Sequence, residues 1–153
     1  MGRQPINVHV YLFRKNNSEF EYAIFHRADD EKCWQGVSGG VEDGETPEQA
    51  ALRETHEEAG TPLSMPLYRL DTMCFIPSVL FWEHVNWGND VVVCPMYFFA
   101  VNFDGEIILS REHTEVKWLP YEEAEKLVYW QDQKNALWEL NQRLLRGNIE
   151  RVV

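Results

Sequence analysis

The segment from Gly39 to Gly60 constrains this chain most, because it predicts a helix whose two ends are both defined by local residues. Thr46 suits the N-cap position, Pro47 suits the first helical position, and Gln49 completes a capping box with Thr46. Gly60 follows the last residue of the periodic pattern and is placed to end the helix. The sequence therefore predicts one well-bounded helix directly after a glycine-rich segment.

Three acidic residues share one face of this predicted helix. Glu54, Glu57 and Glu58 stand at positions i, i+3 and i+4, so their side chains project from the same side. Like charges at this spacing cost about 0.2–0.5 kcal/mol per pair on an exposed helix, and about 4 kcal/mol at 4 Å in a partly dry cleft. A hard divalent cation such as Mg²⁺ would offset that repulsion. The alternative is a solvated helix face, on which Arg53 forms a salt bridge with Glu57.

The charge of the chain narrows the range of partners. Its 153 residues fit one domain, residues 1–153, and the formal net charge is −11. Binding to nucleic acid draws its affinity from many Lys and Arg contacts, so no nucleic-acid partner is expected. A small anionic substrate remains compatible, because a bound metal reverses the local charge. The sequence leaves both a monomer and a homodimer open.

Targeting and redox features favour a cytoplasmic location. The start of the chain, residues 1–5, lacks the pattern of a signal peptide. No run of about 18 apolar residues is present, so no membrane span is expected. Cys33, Cys74 and Cys94 form no C-x-x-C pair, and the odd count favours reduced thiols that pack as small hydrophobic side chains.

The rest of the chain alternates between strand-like and helix-like segments. Partial alternation and β-forming residues predict strands over 7–13, 21–26, 71–75, 91–101 and 116–119. Glycines at 36, 39, 40 and 44 predict a loop over 28–45. Helices are predicted over 120–127 and 132–146. Such interleaving is typical of a sheet that is covered on both faces.

The polar and glycine positions of residues 39–61 match a family signature. Their spacing resembles the Nudix box, G-x5-E-x7-R-E-U-x-E-E-x-G-U, in which U is a bulky aliphatic residue. Thr55 and Thr61 depart from it, because each stands at a U position. The buried hydroxyl of Thr55 would need a hydrogen-bond partner. The matching residues are Gly39, Glu45, Arg53, Glu54, Glu57, Glu58 and Gly60.

The resemblance implies a fold and a metal site. The Nudix fold is an α/β/α sandwich with a central mixed sheet, and its box presents metal ions to a diphosphate. By position, the carbonyl of Gly39 and the carboxylates of Glu54, Glu57 and Glu58 would bind Mg²⁺, with Mn²⁺ as the alternative. Arg53 would orient a carboxylate, and Glu45 would pair within the box. Water would then attack phosphorus.

Three further segments resemble bacterial dihydroneopterin triphosphate pyrophosphatases, namely residues 33–39, 111–119 and 130–140. This closer resemblance makes Glu112 the candidate for an extra catalytic carboxylate, which would bind a metal or accept a proton from water. Glu115 is the rival, and a plain exposed acid is the alternative for both. The expected substrate is a small nucleotide-like diphosphate, either a nucleoside triphosphate or dihydroneopterin triphosphate.

Three residues outside the box are candidates for substrate binding. Arg27 and Lys117 carry charges suited to phosphate, and Trp34 carries a ring suited to stacking on a heterocycle. A surface role for the two cations and core packing for Trp34 are the alternatives. Residues 81–90 concentrate aromatic and turn residues, so they form either a lid or the anchor of a long loop.

Other activities remain open beside the expected one. A dinucleoside polyphosphate or a nucleotide sugar would use the same box with a different substrate pocket. A binding module without catalysis and an acidic structural domain are two more alternatives.

Overall fold

A mixed β-sheet forms the centre of the structure, a computed structural model that describes residues 2–153. Strand β1 pairs in parallel with β6 and antiparallel with β2 and β4. The strand order is β3-β2-β1-β6-β5-β8, with β4 also beside β1 and β7 beside β2. The strands are β1 (Arg3–Asn16), β2 (Glu19–Arg27), β3 (Trp34–Gln35), β4 (Val37–Glu42), β5 (Tyr68–Pro77), β6 (Val93–Asn102), β7 (His113–Pro120) and β8 (Glu150–Arg151).

Helices cover both faces of this sheet. Side chains alternate along β1, so Val8 and Val10 pack in a core cluster with α1 (Pro47–Ala59). Tyr11 points the other way, into a cluster with α2 (Tyr121–Leu127) and α3 (Gln131–Arg146). This arrangement confirms the predicted α/β/α sandwich with a mixed sheet. Two short 3-10 helices, Ser78–Leu80 and Trp82–Asn86, lie between β5 and β6.

The prediction of a continuous loop over residues 28–45 is wrong, because β3 and β4 lie within it. Gly44 does lie in a turn, with a φ of 82°, but Gly36, Gly39 and Gly40 allow close packing at the sheet. A Cβ atom at Gly36 would lie 2.6 Å from the carbonyl oxygen of Val10 on the neighbouring strand. Glycine at this position therefore reflects crowding between strands and not a turn.

The ends of α1 are as the sequence predicts. The Thr46 hydroxyl accepts a hydrogen bond from the backbone N–H of Gln49, and the Gln49 side chain accepts one from the N–H of Thr46. Gly60 has a φ of 78° and ends the helix. The buried hydroxyl of Thr55 donates to the carbonyl of Ala51 at 2.6 Å, which satisfies the polar group that replaces an aliphatic side chain.

The remaining predicted elements all occur: β1, β2, β5, β7 and α3 are longer than predicted, and β6 and α2 are one residue shorter. Strand β8 was not predicted from the sequence. Among residues 2–153, none of the helices has the length and apolar character that crossing a membrane requires. Cys33 and Cys94 are buried, Cys74 is half-buried, and all three are free thiols.

Candidate active site

Arg53 connects the acidic residues of the box. Its guanidinium donates to both carboxylate oxygens of Glu45, at 2.6 and 3.0 Å, and to the carbonyl of Gly40 at 2.9 Å. It also donates to Glu54 at 2.9 Å and to Glu57 at 3.3 Å. The contact with Glu45 raises the pKa of Arg53 and lowers the pKa of Glu45. Arg53 therefore stays charged and connects the middle of α1 to β4 and to the turn that follows β4.

Glu45 fixes the loop from its other side. Its Oε1 accepts a hydrogen bond from the backbone N–H of Glu42 at 2.9 Å. The chain between β4 and α1 is therefore tied to the same carboxylate that binds Arg53. This local network positions the loop relative to the helix.

Glu54 lies against Gly39, the first glycine of the box. A Cβ atom at Gly39 would lie 2.1 Å from the Glu54 carboxyl carbon, so any other residue there would displace that side chain. Burial is the main reason why the pKa of Glu54 rises to about 7, although its hydrogen bond with Arg53 acts in the opposite direction. The carboxylate is therefore held close to the loop and away from most of the solvent.

Glu58 is the most enclosed acid of the helix. It is only 2% exposed, and neither of its carboxylate oxygens has a hydrogen-bond partner among residues 2–153. Burial is the main reason why the pKa of Glu58 rises to about 10; the neighbouring acids Glu112 and Glu54 raise it further, and the nearby backbone N–H of Ser38 acts in the opposite direction. An unpartnered buried carboxyl group is costly to folding and therefore calls for a functional reason.

Glu58 and Glu112 line one cavity of about 370 Å³, which we call the acidic cavity. Glu112 lies in the turn before β7, where its carbonyl accepts a hydrogen bond from the N–H of Ala28 at 2.9 Å. Glu115 lies within β7, paired with His26, and does not line the acidic cavity. Of the two rival acids, Glu112 is thus the one that stands beside Glu58.

The third acid of the predicted face has a different environment. The Glu57 side chain is 53% exposed and contacts Arg53 at the surface. Glu54 lines a second cavity of about 490 Å³, which we call the side cavity, together with Glu42 and Asp43. Among residues 2–153, no three His, Cys, Asp or Glu side chains stand close enough to hold a metal ion in their present positions.

The candidate substrate residues divide into two groups. Arg27 lines the acidic cavity, where its guanidinium donates to both oxygens of Asp29, at 2.8 and 2.6 Å. Trp34 instead stacks on His26 with ring centroids 4.6 Å apart, and Lys117 lies 5.0 Å from the Trp34 ring. Neither Trp34 nor Lys117 lines the acidic cavity or the side cavity, and their substrate contacts stay predictions.

Sequence reasoning missed Arg3 and Asn7, which both line the acidic cavity. Arg3 contacts Phe81 and Trp87 from the aromatic-rich segment that the sequence singled out. The aromatic-rich segment was the available signal in the sequence. Arg3 and Trp87 are 84 positions apart, however, so no local sequence pattern predicts their contact.

Comparisons with known proteins agree with this geometry. The model of the NUDIX domain matches residues 3–139. A bis(5'-nucleosyl)-tetraphosphatase [asymmetrical] from Sus scrofa is 32% identical over 129 residues, which cover 84% of each chain. A dihydroneopterin triphosphate diphosphatase from Escherichia coli K12 is 38% identical over 56 residues, which cover 37% of this chain and 36% of that one.

A solved structure from Listeria monocytogenes, assigned as a NUDIX hydrolase, has the same fold. It superposes with a TM-score of 0.87 at 35% identity, and the match covers 97% of this chain and 100% of that one.

Proposed function

The chain belongs to the Nudix hydrolase family, and from that premise we propose that it cleaves a diphosphate linkage in a nucleoside-triphosphate-like substrate with the help of Mg²⁺. The proposed unit is a single Nudix domain over residues 1–153. The proposed catalytic acids are Glu57, Glu58 and Glu112, and Arg53 is proposed as a positioning residue. Water is the proposed nucleophile, and phosphorus is the proposed site of attack.

The acidic cavity carries this proposal. Glu58 contributes two buried oxygens without partners, and Glu112 stands beside it. Arginine side chains line the same cavity, so one small volume combines oxygen ligands for a cation with donors for phosphate. A purely structural role would leave the burial of Glu58 unexplained, because its contacts among residues 2–153 do not offset the effect of burial on its pKa.

The donor set suits a hard divalent cation. Carboxylates of Glu54, Glu57, Glu58 and Glu112 and the carbonyl of Gly39 would hold Mg²⁺ or, as the alternative, Mn²⁺. The ligands would all be oxygen atoms, and Glu58 lacks any other partner among residues 2–153. When bound, such an ion polarises phosphoryl oxygens and lowers the pKa of water.

The residues of the chain have separate tasks in the proposed reaction. Glu112 either binds the metal ion or accepts the proton of the attacking water, as a carboxylate at the wall of the acidic cavity can do. Arg53 keeps Glu54 and Glu57 in place through its contacts with both. Glu45 keeps Arg53 in place in turn. Arg27 would contact a phosphate, although it must then share its guanidinium with Asp29.

A third cavity gives a place for the heterocycle. It has a volume of about 360 Å³ and shares Asn7, Arg27, Gln35, Ser38 and Phe81 with the acidic cavity. Its other walls include Ile76, Leu80, Met96 and Trp130, with Asp132 and Gln133 as polar groups. Apolar walls with a few polar groups are typical of a small-molecule pocket.

The alternative substrate is a dinucleoside polyphosphate. The Sus scrofa relative, whose name gives that activity, matches most of this chain, whereas the Escherichia coli dihydroneopterin triphosphate diphosphatase matches about a third. Both substrates contain the linkage that the acidic cavity would hold, so the cavity does not discriminate between them.

A substrate panel tests the proposal. The purified protein with Mg²⁺ would be given nucleoside triphosphates, dihydroneopterin triphosphate, dinucleoside polyphosphates and nucleotide sugars. Phosphate detection after coupling to inorganic pyrophosphatase reports diphosphate release, and chromatography identifies the products. A monophosphate plus diphosphate supports the main proposal, and two nucleotides from one dinucleotide support the alternative. Tight nucleotide binding by calorimetry without turnover of any substrate would contradict both.

A further inference from the structure

Arg3 stands where the acidic cavity meets the side cavity, and it lines both of them. The segment between β5 and β6 holds its side chain from outside. The guanidinium carbon lies 4.7 Å from the ring centroid of Phe81 and 5.4 Å from that of Trp87. Trp87 also donates from its indole nitrogen to the carbonyl of Arg3 at 2.8 Å. Arg3 is therefore positioned with a restricted set of side-chain orientations.

Gly40 makes room for this guanidinium. A Cβ atom at Gly40 would lie 2.4 Å from the guanidinium carbon of Arg3. At the preceding position, a Cβ atom at Gly39 would collide with Glu54. The two consecutive glycines of β4 therefore leave room for the Glu54 carboxylate and for the Arg3 guanidinium. Only Gly39 belongs to the box signature.

Two hydrogen-bond donors beside this loop lack acceptors. Arg3 donates to the side-chain oxygen of Asn7 at 2.6 Å, which orients the Asn7 amide. The Nε of Arg3 and the Nδ2 of Asn7 are buried, and neither has a partner among residues 2–153. Asn7 itself is only 3% exposed. Buried donors without acceptors indicate that a ligand accepts hydrogen bonds from Arg3 and Asn7 through its oxygens.

The charge of Arg3 is also less neutralised than the charges of Arg27 and Arg53. Arg53 and Arg27 each form short hydrogen bonds with carboxylates. The carboxylate contact recorded for Arg3 is Glu83 at 3.9 Å, which is too long for a hydrogen bond. The Arg3 side chain keeps 17% of its surface exposed, so an anion can reach it from the cavity.

We propose that Arg3 and Asn7 form a phosphate-binding subsite, which binds one phosphoryl group of the substrate through the Arg3 guanidinium. This inference rests on the proposed function, because it names the groups that bind the substrate's phosphate chain. Guanidinium geometry matches the oxygens of a phosphoryl group, and the stacked rings fix its plane before the ligand arrives. The positive charge of Arg3 offsets the repulsion between the phosphate chain and the surrounding glutamates.

Binding of methylenediphosphonate, a diphosphate analogue that cannot be hydrolysed, tests the subsite without relying on turnover. Calorimetry with Mg²⁺ would compare the wild type with Arg3→Met, Arg3→Lys and the control Arg69→Met. Arg69 contacts Glu150 and lines neither cavity, so its variant removes the same charge elsewhere. Loss of a charge-assisted hydrogen bond predicts an affinity about 10- to 100-fold lower in Arg3→Met. A smaller loss is expected in Arg3→Lys and none in the control.

A measurement on the wild-type fold keeps the inference testable if Arg3→Met fails to fold. The chain would be labelled with 5-fluorotryptophan, and Trp87→Phe would assign the Trp87 resonance. Addition of methylenediphosphonate with Mg²⁺ should shift that resonance, because Trp87 stacks on Arg3. An unchanged Trp87 resonance, or a folded Arg3→Met that binds the analogue within twofold of the wild type, would overturn the inference. If the wild type still hydrolyses a panel substrate, the proposed function stands; if it hydrolyses none, that function fails separately.

Discussion

Glu58 on α1 and Glu139 on α3 are both shielded glutamates, but their carboxylates have opposite surroundings. Glu139 accepts hydrogen bonds from the backbone N–H groups of Asp71 and Thr72, at 2.7 and 2.8 Å. It also accepts from the Thr72 hydroxyl at 2.6 Å and from Arg143 at 2.7 Å. Burial alone raises the pKa of Glu139, but these hydrogen bonds outweigh it and the pKa is lowered.

Glu58 has much weaker compensation, because the nearby backbone N–H of Ser38 lowers its pKa by less than burial raises it. Both of its oxygens lack partners among residues 2–153, and burial raises its pKa to about 10. The surroundings of Glu139 therefore favour its ionised form, whereas the surroundings of Glu58 disfavour it. The comparison teaches that α3 uses its acid to attach the helix to β5, whereas α1 carries a buried acid whose contacts do not offset its burial.

The largest effect in this comparison is expected from Glu58→Gln. Turnover of the substrate found in the panel should fall by more than about 100-fold, because the exchange removes a negative oxygen ligand and leaves the side-chain shape intact. Thermal melting in EDTA should be no lower than in the wild type, since an unpaired buried carboxyl group is removed. Turnover like that of the wild type would contradict the proposed catalytic role of Glu58.

The matched exchange Glu139→Gln should have the opposite outcome. The free energy of unfolding in urea should fall by about 1–3 kcal/mol, because the amide nitrogen of Gln cannot accept the hydrogen bonds that one carboxylate oxygen of Glu139 accepts. Turnover per folded molecule should stay within about twofold of the wild type, since Glu139 lines neither the acidic cavity nor the side cavity. Lost turnover with unchanged stability would contradict the structural role of this acid.

His9 on β1 gives an effect on stability that appears only at acidic pH. It is fully buried, its Nε2 accepts a hydrogen bond from the N–H of Gly36, and its Nδ1 has no partner among residues 2–153. Burial lowers its pKa from 6.5 to about 3. Below pH 6.5 the unfolded chain therefore binds a proton at His9 that the folded chain does not bind. The free energy of unfolding falls as the pH falls from 6.5 towards 3.

The expected contribution of His9 is a loss of about 1.4 kcal/mol of unfolding free energy per pH unit within that window. Urea unfolding at several pH values would compare the wild type with His9→Gln, which keeps an acceptor for Gly36 but does not titrate. His113, whose pKa burial also lowers, contributes to both proteins and cancels in the difference. Parallel pH profiles for the two proteins would show that His9 does not act in this way.

Local signals predicted the part of the fold that is itself local. The capping box of α1 needs only Thr46, Gln49 and Gly60, which lie within one helix length, and all have the predicted geometry. Strand β4 was missed because its glycines matched a turn pattern. Gly39 and Gly40 instead allow the close approach of Glu54 and Arg3, which come from other elements.

The site shows the same limit. Helical spacing placed Glu54, Glu57 and Glu58 on one side, but spacing does not decide how deep each side chain lies, and Glu57 is more than half exposed. Burial depends on which strands and loops cover the helix. Arg3 could not be predicted because its partners Phe81 and Trp87 approach it only through the fold.

Titration with Mn²⁺, followed by electron paramagnetic resonance of the free ion, tests the role of Glu58 most directly. The wild-type protein should bind Mn²⁺, and Glu58→Gln should bind it more than about tenfold more weakly, because one anionic oxygen ligand is lost. Glu139→Gln should bind it as the wild type does. Equal Mn²⁺ affinity in the wild type and in folded Glu58→Gln would contradict the account.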